Sequence, residues 1–395
     1  MGRPVTDTSE RPLSVGILCY PTFGGSGVVA VELAQGLAQR GHTVHLFSYA
    51  PPARHDPFDE RVHLHEVAVS SYPLFRYPPY DLALTSRVAE VAEDVGLDLI
   101  HAHYAIPHAM AALAVKDMLR PRRVPVVTTL HGTDITVVGQ DPSYTRVTRY
   151  ALARSDRVTC VSEYLAEETR RVFGIDRKLD IVPNFVDGER FHPIRPSPLR
   201  GCFARGGESV LMHVSNFRPV KQTPLVVDAF AQVAAERPAT LVLVGDGPDR
   251  AACEARVQTL GLRSHVRFLG AQSDVENLLP AADLFLLPSR YESFGLAALE
   301  AMACGAVPLA TKAGGLPEVI EDGVTGRLVP PEDLPDMGRY ALDLLAEPEQ
   351  LAVMAAAARS AAVTRFAREP VVARYEAIYR DVLASGSRPR PETAD

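Results

Sequence analysis

The sequence predicts an α/β fold of two domains, each built on a parallel sheet. Three observations carry that expectation. The chain has 395 residues, more than a single hydrophobic core normally organises. Strand-like runs alternate with helix-period runs through the first half, and again through the second. Between the two series lies "VDGERFHPIRPSPLRGCFARGGE", residues 186–208, rich in Pro, Gly and Arg and without periodicity. It reads as a linker with some irregular structure. The expected domains are 1–188 and 189–365, with a helix over 366–386 packing back on the first and a disordered tail at 387–395.

The elements follow in order. "LSVGILCY" is a β-rich run that ends in "PTFGGSG". A helix from about Val28 puts Val29, Leu33 and Leu37 on one face and stops at Gly41, a good C-terminal glycine. "TVHLFSY" closes a βαβ unit, and "DLIHAH", "VPVVTTLHG", "DRVTCVS" and "DIVPN" continue it. In the second half "SVLMHVS", "TLVLVG", "VRFLG", "DLFLLPS" and "AVPLAT" are strands, separated by helical runs such as "PLVVDAFAQVAAE" and "GLAALEAMACG". Such alternation implies parallel sheets covered on both faces. "VVARYEAIYRDVLA" spaces Val371, Tyr375, Ile378, Tyr379 and Val382 as an amphipathic packing helix.

Composition narrows the class. Hydrophobic residues are 47% and charged residues 23%, with a net charge of -7 and no basic stripe. An ordinary globular protein is expected, with no nucleic-acid partner. The five cysteines are scattered, without a CxxC pair, which suits reduced thiols in a cytoplasm. "MGRPVTDTSERP" lacks an apolar signal core. It fits the loose myristoylation pattern at Gly2 and Thr6 but reads as a polar leader. No apolar run approaches the ~20 residues of a membrane helix, so no membrane partner is expected.

Several stretches carry chemistry. Gly24, Gly25 and Gly27 sit between a strand and a helix, where backbone can approach a ligand and helix N–H groups attract an anion. A plain tight turn is the competing reading. "YESFGLAALEAMACG" sets Glu292 seven residues before Glu300. Ser293, Phe294 and Gly295 are expected to open the helix between them, so two carboxylates could grip two sets of sugar hydroxyls beside a phosphate-binding helix end. "HVSNFRPVK" places Arg218 and Lys221 just after a strand, a planar fork and a point charge suited to a diphosphate. His101, His103 and His108 in "HAHYAIPH", with His131, Thr133 and Asp134 in "TLHGTD", read as a polar site wall. A metal centre is disfavoured because no Cys or acidic cluster accompanies the histidines.

With these pieces together the chain resembles the retaining glycosyltransferases of GT-B fold, in the glycogen-synthase-like family-4 group. The E-x7-E pair, R-x-x-K, the early "GG" and "EAMACG…GGLPEVIEDGVTGRLV" are its marks. "YPPYDLAL", "IHAHYAIPHA", "TTLHGTDITVVGQDPS" and "HVSNFRPVK" are similar to the malate-accepting branch of that group, which opens bacillithiol synthesis. "SRYESFG" departs from many of those relatives at Arg290 and Tyr291, while both Glu residues remain.

The resemblance implies two Rossmann-like domains whose parallel sheets face a central cleft, with closure about the linker and the segment near Phe366. It implies transfer of N-acetylglucosamine from UDP-GlcNAc to the hydroxyl of L-malate with retention. Glu300 would hold the donor ribose, Glu292 the transferred sugar, and Arg218 and Lys221 the diphosphate, with Gly25, Ser293, Phe294 and Gly295 completing the donor site. His131 would line the transferred sugar and stabilise charge at the reacting centre. Ser26, Tyr104, Thr133 and Arg149 would meet malate, with Arg76 a further candidate. No cofactor and no divalent metal are expected, because Arg218 and Lys221 supply the positive charge. A homo-oligomer is compatible with this reading. Inositol phosphate as acceptor is the nearest alternative, and a non-catalytic sugar-nucleotide binder another. An NAD-dependent oxidoreductase would want GxGxxG and an acidic residue closing the second strand, which "GGSG" and "FSYAPP" do not supply.

Overall fold

The computed structural model describes residues 11–22, 24–70, 72–136, 138–194 and 197–385. The leader with its Gly2 and Thr6 pattern, and the expected tail at 387–395, lie outside the described residues. The chain forms two compact units. One comprises Met1–Val182 and Glu369–Asp395, the other Pro183–Arg368.

In the first unit the elements run β1 (Ser14–Leu18), α1 (Ser26–Gln39), β2 (Thr43–Ser48), β3 (Val62–Glu66), α2 (Tyr80–Val95), β4 (Leu99–His103), α3 (Met110–Met118), β5 (Val126–Leu130), α4 (Thr133–Thr136), α5 (Pro142–Arg154), β6 (Arg157–Cys160), α6 (Glu163–Phe173) and β7 (Asp180–Ile181). The seven strands lie in the order β3-β2-β1-β4-β5-β6-β7, all parallel. Every residue of β4 and β5 is buried, as parallel strands covered on both faces must be.

The second unit runs α7 (Arg200–Phe203), β8 (Ser209–Val214), α8 (Thr223–Glu236), β9 (Ala239–Val244), α9 (Arg250–Thr259), β10 (Val266–Gly270), α10 (Val275–Leu278), β11 (Leu284–Leu287), α11 (Leu296–Ala303), β12 (Val307–Thr311), α12 (Leu316–Val319), β13 (Arg327–Val329), α13 (Met337–Ala346) and α14 (Pro348–Arg365). Its six-stranded parallel sheet has the order β10-β9-β8-β11-β12-β13. Leu211, Phe230, Leu241 and Leu286 pack in one core cluster beneath the helices.

The last helix, α15 (Arg368–Ser385), completes the first unit. Tyr375 and Tyr379 are fully buried there. The Tyr379 hydroxyl lies 2.7 Å from His101 Nδ1 on β4. A Cβ on Gly36 of α1 would come within 2.6 Å of Val372, so the two helices touch at a residue with no side chain.

The chain passes between units six residues before the expected 188, at Val182. The cause is local: Val186 bridges Ala367, and Arg359 donates to Gly188 O at 2.8 Å, so 183–188 packs with the second unit. The stretch 186–208 is also not wholly irregular, since it contains α7. No helix among the described residues is long and apolar enough to cross a membrane.

Candidate active site

Each sheet has one place where its chain order reverses. In the first unit β1 leads outward to β2 and β3, and β4 begins the run to the other side. In the second, β9 and β10 lie to one side of β8, and β11 to β13 lie to the other. Loops at the carboxyl ends of such central strands diverge and leave a crevice. The glycine-rich turn, HAHYAIPH, R-x-x-K and Glu292 fall on those four loops, and TLHGTD on the neighbouring loop after β5.

In the second unit the loop after β8 carries Arg218 and Lys221. Phe217 takes φ 41°, a left-handed conformation that needs support. Ser215 Oγ accepts from Phe217 N at 3.1 Å and lies 2.8 Å from His213 Nε2. His213 Nδ1 lies 2.8 Å from Leu286 O, so one buried histidine ties β8 to β11. Burial pushes its pKa down to about 4. Arg218 stands at the start of a 3-10 turn, Pro219–Lys221, and its side chain is exposed.

The loop after β11 carries Glu292. Its Oε1 accepts from Lys221 Nζ at 2.6 Å and from Ser289 Oγ at 2.8 Å. The backbone joins the same two loops, Arg290 N donating to Val220 O at 2.8 Å. The loop after β12 presses from the other side. A Cβ on Gly314 would lie 2.0 Å from Glu292 O, and its φ is +60°. Only glycine fits that approach and that conformation.

One expectation needs correcting. Ser293, Phe294 and Gly295 do not form the first helical residues: α11 begins at Leu296, with Gly295 at φ 98° as its cap. A residue in that conformation cannot continue a helix, so Ser293 and Phe294 remain in the loop. Phe294 is buried against Phe366, ring centroids 5.6 Å apart, and so anchors the loop from below. Glu300, in the second turn of α11, is only 6% exposed.

In the first unit the loop after β1 enters α1 through Gly25 at φ 61°. A Cβ on Gly27 would lie 2.5 Å from Tyr20 O, so the fold itself demands that glycine. A Cβ on Gly24 or Gly25 would meet nothing within 4 Å, which leaves open room beside an exposed backbone. Ser26 is buried, at 4% exposure.

The loop after β4 begins at Tyr104, a non-glycine residue at φ 88° and ψ 141°. Its N–H donates to Thr129 O at 2.9 Å, so the sheet holds the strained residue in place. Its ring lies 5.5 Å from Tyr20 and 5.4 Å from His131. The Asp134 carboxylate, 1% exposed, joins the loops after β4 and β5. It accepts from Ala105 N at 3.2 Å, Gly132 N at 2.9 Å and His131 N at 3.3 Å. Burial pushes its pKa up to about 6 against those N–H bonds. Thr133, half-buried, opens α4 beside it.

The histidines divide. His101 is not a site wall: it is fully buried, with Nδ1 2.7 Å from Tyr379 Oη and Nε2 2.6 Å from Thr129 Oγ1. That leaves it no lone pair for a metal. His103 Nδ1 lies 2.9 Å from His131 Nε2. His131 is half-buried, and its pKa falls to about 3, first by burial and then by His108. Among the described residues no group of three or more metal-binding side chains occurs.

Arg149 and Arg76 are exposed. Arg149 is on α5, which packs against the turn Ala105–Ala109 after Tyr104. Arg76 stacks over Tyr77 at 5.5 Å. Neither makes a recorded contact with the Tyr104–His131 cluster among the described residues. Asp134, placed in the site wall by the sequence, turns out to fix the loops, and the fixers that the sequence did not single out are Ser289, His213 and Gly314. Their only advance signal is the run of small and polar residues around the motifs.

Two parallel sheets of this order, each with its loops at the reversal point, define a protein of two Rossmann-like domains. Two family models match the chain, Glycosyltransferase Family 4 over residues 23–190 and Glycosyl transferases group 1 over residues 203–361. The chain belongs to these glycosyltransferases, with two Rossmann-like domains of the GT-B class. It is 44% identical to the N-acetyl-alpha-D-glucosaminyl L-malate synthase of Bacillus anthracis, over 94% of this chain and 97% of that protein. It is 30% identical to the D-inositol 3-phosphate glycosyltransferase of Saccharomonospora viridis, over 92% of this chain and 90% of that one. Among solved structures, sucrose-phosphate synthase from Thermosynechococcus elongatus matches with a TM-score of 0.79 at 22% identity, covering 94% of this chain and all (100%) of that one. That last likeness concerns the fold.

Proposed function

We propose that this chain transfers N-acetylglucosamine from UDP-GlcNAc to the hydroxyl of L-malate with retention, giving GlcNAc-malate and UDP, the first step of bacillithiol synthesis. The observation that carries the reading is the full-length likeness to the malate synthase, 44% over 94% of the chain. The site geometry supports it. Lys221 and Glu292 meet at the reversal point of the second sheet, where a diphosphate and a sugar hydroxyl would need a cation and an acceptor.

In this reading Arg218 and Lys221 bind the diphosphate, Glu300 the ribose and Glu292 the transferred sugar, and Gly25 and the Ser293–Gly295 loop are further donor contacts. Tyr104, Thr133, Ser26 and Arg149 take malate, and Arg76 is a further cation for its carboxylates. The bond from the anomeric carbon to the diphosphate oxygen breaks. A bond to the malate hydroxyl oxygen forms on the same face, and the hydroxyl proton passes to the leaving diphosphate. The protein contributes position and charge stabilisation. Gly24 fits this picture, because the protein's own packing leaves its Cβ position open and a close ligand gives a glycine there a purpose. The proposal includes a cytoplasmic location and no required metal.

UDP release, measured with UDP-GlcNAc while the acceptor is varied, tests the reading. L-malate is expected to support turnover. Turnover with inositol phosphate and none with malate would replace the acceptor. Tight UDP binding with no turnover on any acceptor would favour a sugar-nucleotide binder.

A further inference from the structure

His103 and His131 form a pair whose geometry determines where its protons sit. The rings are nearly coplanar, 20° apart, with centroids 5.0 Å apart and Nδ1 of His103 2.9 Å from Nε2 of His131. This is an in-plane N–H···N bond, which needs one donor and one acceptor. Two arrangements satisfy it.

In the first, His131 Nε2–H donates to His103 Nδ1. His103 must then carry its proton on Nε2. That atom is buried and reaches no hydrogen-bonding partner among the described residues. His101 cannot supply one. Its ring lies 4.4 Å away, but its two nitrogens are engaged by Tyr379 and Thr129. A buried N–H without an acceptor is a rare and costly state.

In the second, His103 Nδ1–H donates to His131 Nε2. The orphaned atom is then only a lone pair, and the proton of His131 sits on Nδ1. We propose that His103 is a positioning residue that holds His131 as its Nδ1–H tautomer, so that His131 meets substrate as a neutral hydrogen-bond donor and not as a base. The inference rests on the reading of His131 as a site residue. The surroundings keep the pair rigid: His108 Nδ1 lies 2.6 Å from His103 O, and Asp134 holds the His131 backbone N–H.

The consequence is specific. A neutral Nδ1–H favours a carboxylate, carbonyl or phosphoryl oxygen as its ligand. It has no lone pair with which to take a hydroxyl proton. The acceptor proton must therefore leave by another oxygen, which in the proposed reaction is that of the departing diphosphate.

Long-range proton–nitrogen correlation spectra of the full-length protein, labelled with ring-15N histidine, test the inference. A His131→Asn variant assigns the His131 signals. The wild-type protein is expected to show a protonated Nδ1 and a bare Nε2 at His131. His103→Phe is expected to release His131 to the Nε2–H form and to lower kcat about 10- to 100-fold with little change in KM. His103→Asn, whose amide can donate from the same place, is expected to restore both. A protonated Nε2 at His131 in the wild-type protein overturns the proposal, whether or not the variants fold. If the tautomer is as proposed but His131→Ala keeps wild-type turnover of UDP-GlcNAc and L-malate, the site reading of His131 falls and the tautomer stands.

Discussion

Lys221 and Glu292 are 71 residues apart in sequence and 2.6 Å apart in space. The contact links the loop after β8 to the loop after β11, and Ser289 completes it with a hydroxyl on the same carboxylate oxygen. An ion pair at this depth, with Glu292 11% exposed, leaves an uncompensated charge when either partner is removed.

The pair is therefore expected to act as a unit. Lys221→Ala and Glu292→Gln should each lower kcat/KM about 100-fold. The double variant should lose much less than the product of the two. Steady-state UDP release for the four proteins measures this. Fully multiplicative losses would mean that the two residues act separately.

Glu300 is the ribose ligand of the proposal. Glu300→Gln keeps the size and removes the charged acceptor, so UDP affinity is expected to fall about tenfold. Titration calorimetry with UDP checks it. Unchanged affinity would detach Glu300 from the nucleotide.

Two glycines should respond in opposite ways. Gly314→Ala forces a Cβ to within 2.0 Å of Glu292 O in a left-handed conformation, and should cost about 2 kcal/mol or more of stability. Gly24→Ala meets open space and should stay within about 0.5 kcal/mol, yet lower turnover if a ligand approaches that backbone. Denaturant titration and UDP release on both variants separate fold from function.

Acid should unfold the protein early. Burial lowers His101 to about 3, and His108 and His213 to about 4, against about 6.5 in an unfolded chain. The unfolded state therefore takes up protons first. The stability from these histidines is full above about pH 6.5 and drains away as pH falls toward their folded values, at up to about 1.4 kcal/mol per pH unit for each. Asp134 runs the other way. Its pKa is raised from 3.8 to about 6, so its contribution is full at low pH and is lost as pH rises through 6. The histidines outnumber it, and the urea midpoint should drop between pH 7 and pH 5. A flat midpoint over that range would contradict the balance.

Metal dependence has a clear expectation. In the proposed site Arg218 and Lys221 supply the charge for the leaving group, so excess EDTA should leave UDP release undiminished. Loss of activity restored by magnesium would sink that assignment.

The alternation of runs in the sequence made the two parallel sheets legible, because buried parallel strands and amphipathic helices have different periods. The order of strands was not legible, since nothing local records which strand a neighbour pairs with. The motifs were visible as residue types, but their partners were not. Lys221 finds Glu292, and His103 finds His131, only through the sheets. Strand period two puts His101 and His103 on one face of β4, where their ring centroids lie 4.4 Å apart. It could not reveal that Tyr379, 278 residues onward, claims one of them for the core. The start of α11 was misplaced because Gly295 adopts a left-handed turn that no periodicity announces.

The helix α15 has one more consequence, for the order of synthesis. A nascent chain that ends at Arg368 holds every residue of the second unit. It still lacks Tyr375 and Tyr379, which fill the first unit and meet His101 and Thr129. On the ribosome, the half of the protein that is begun first is the half that is finished last.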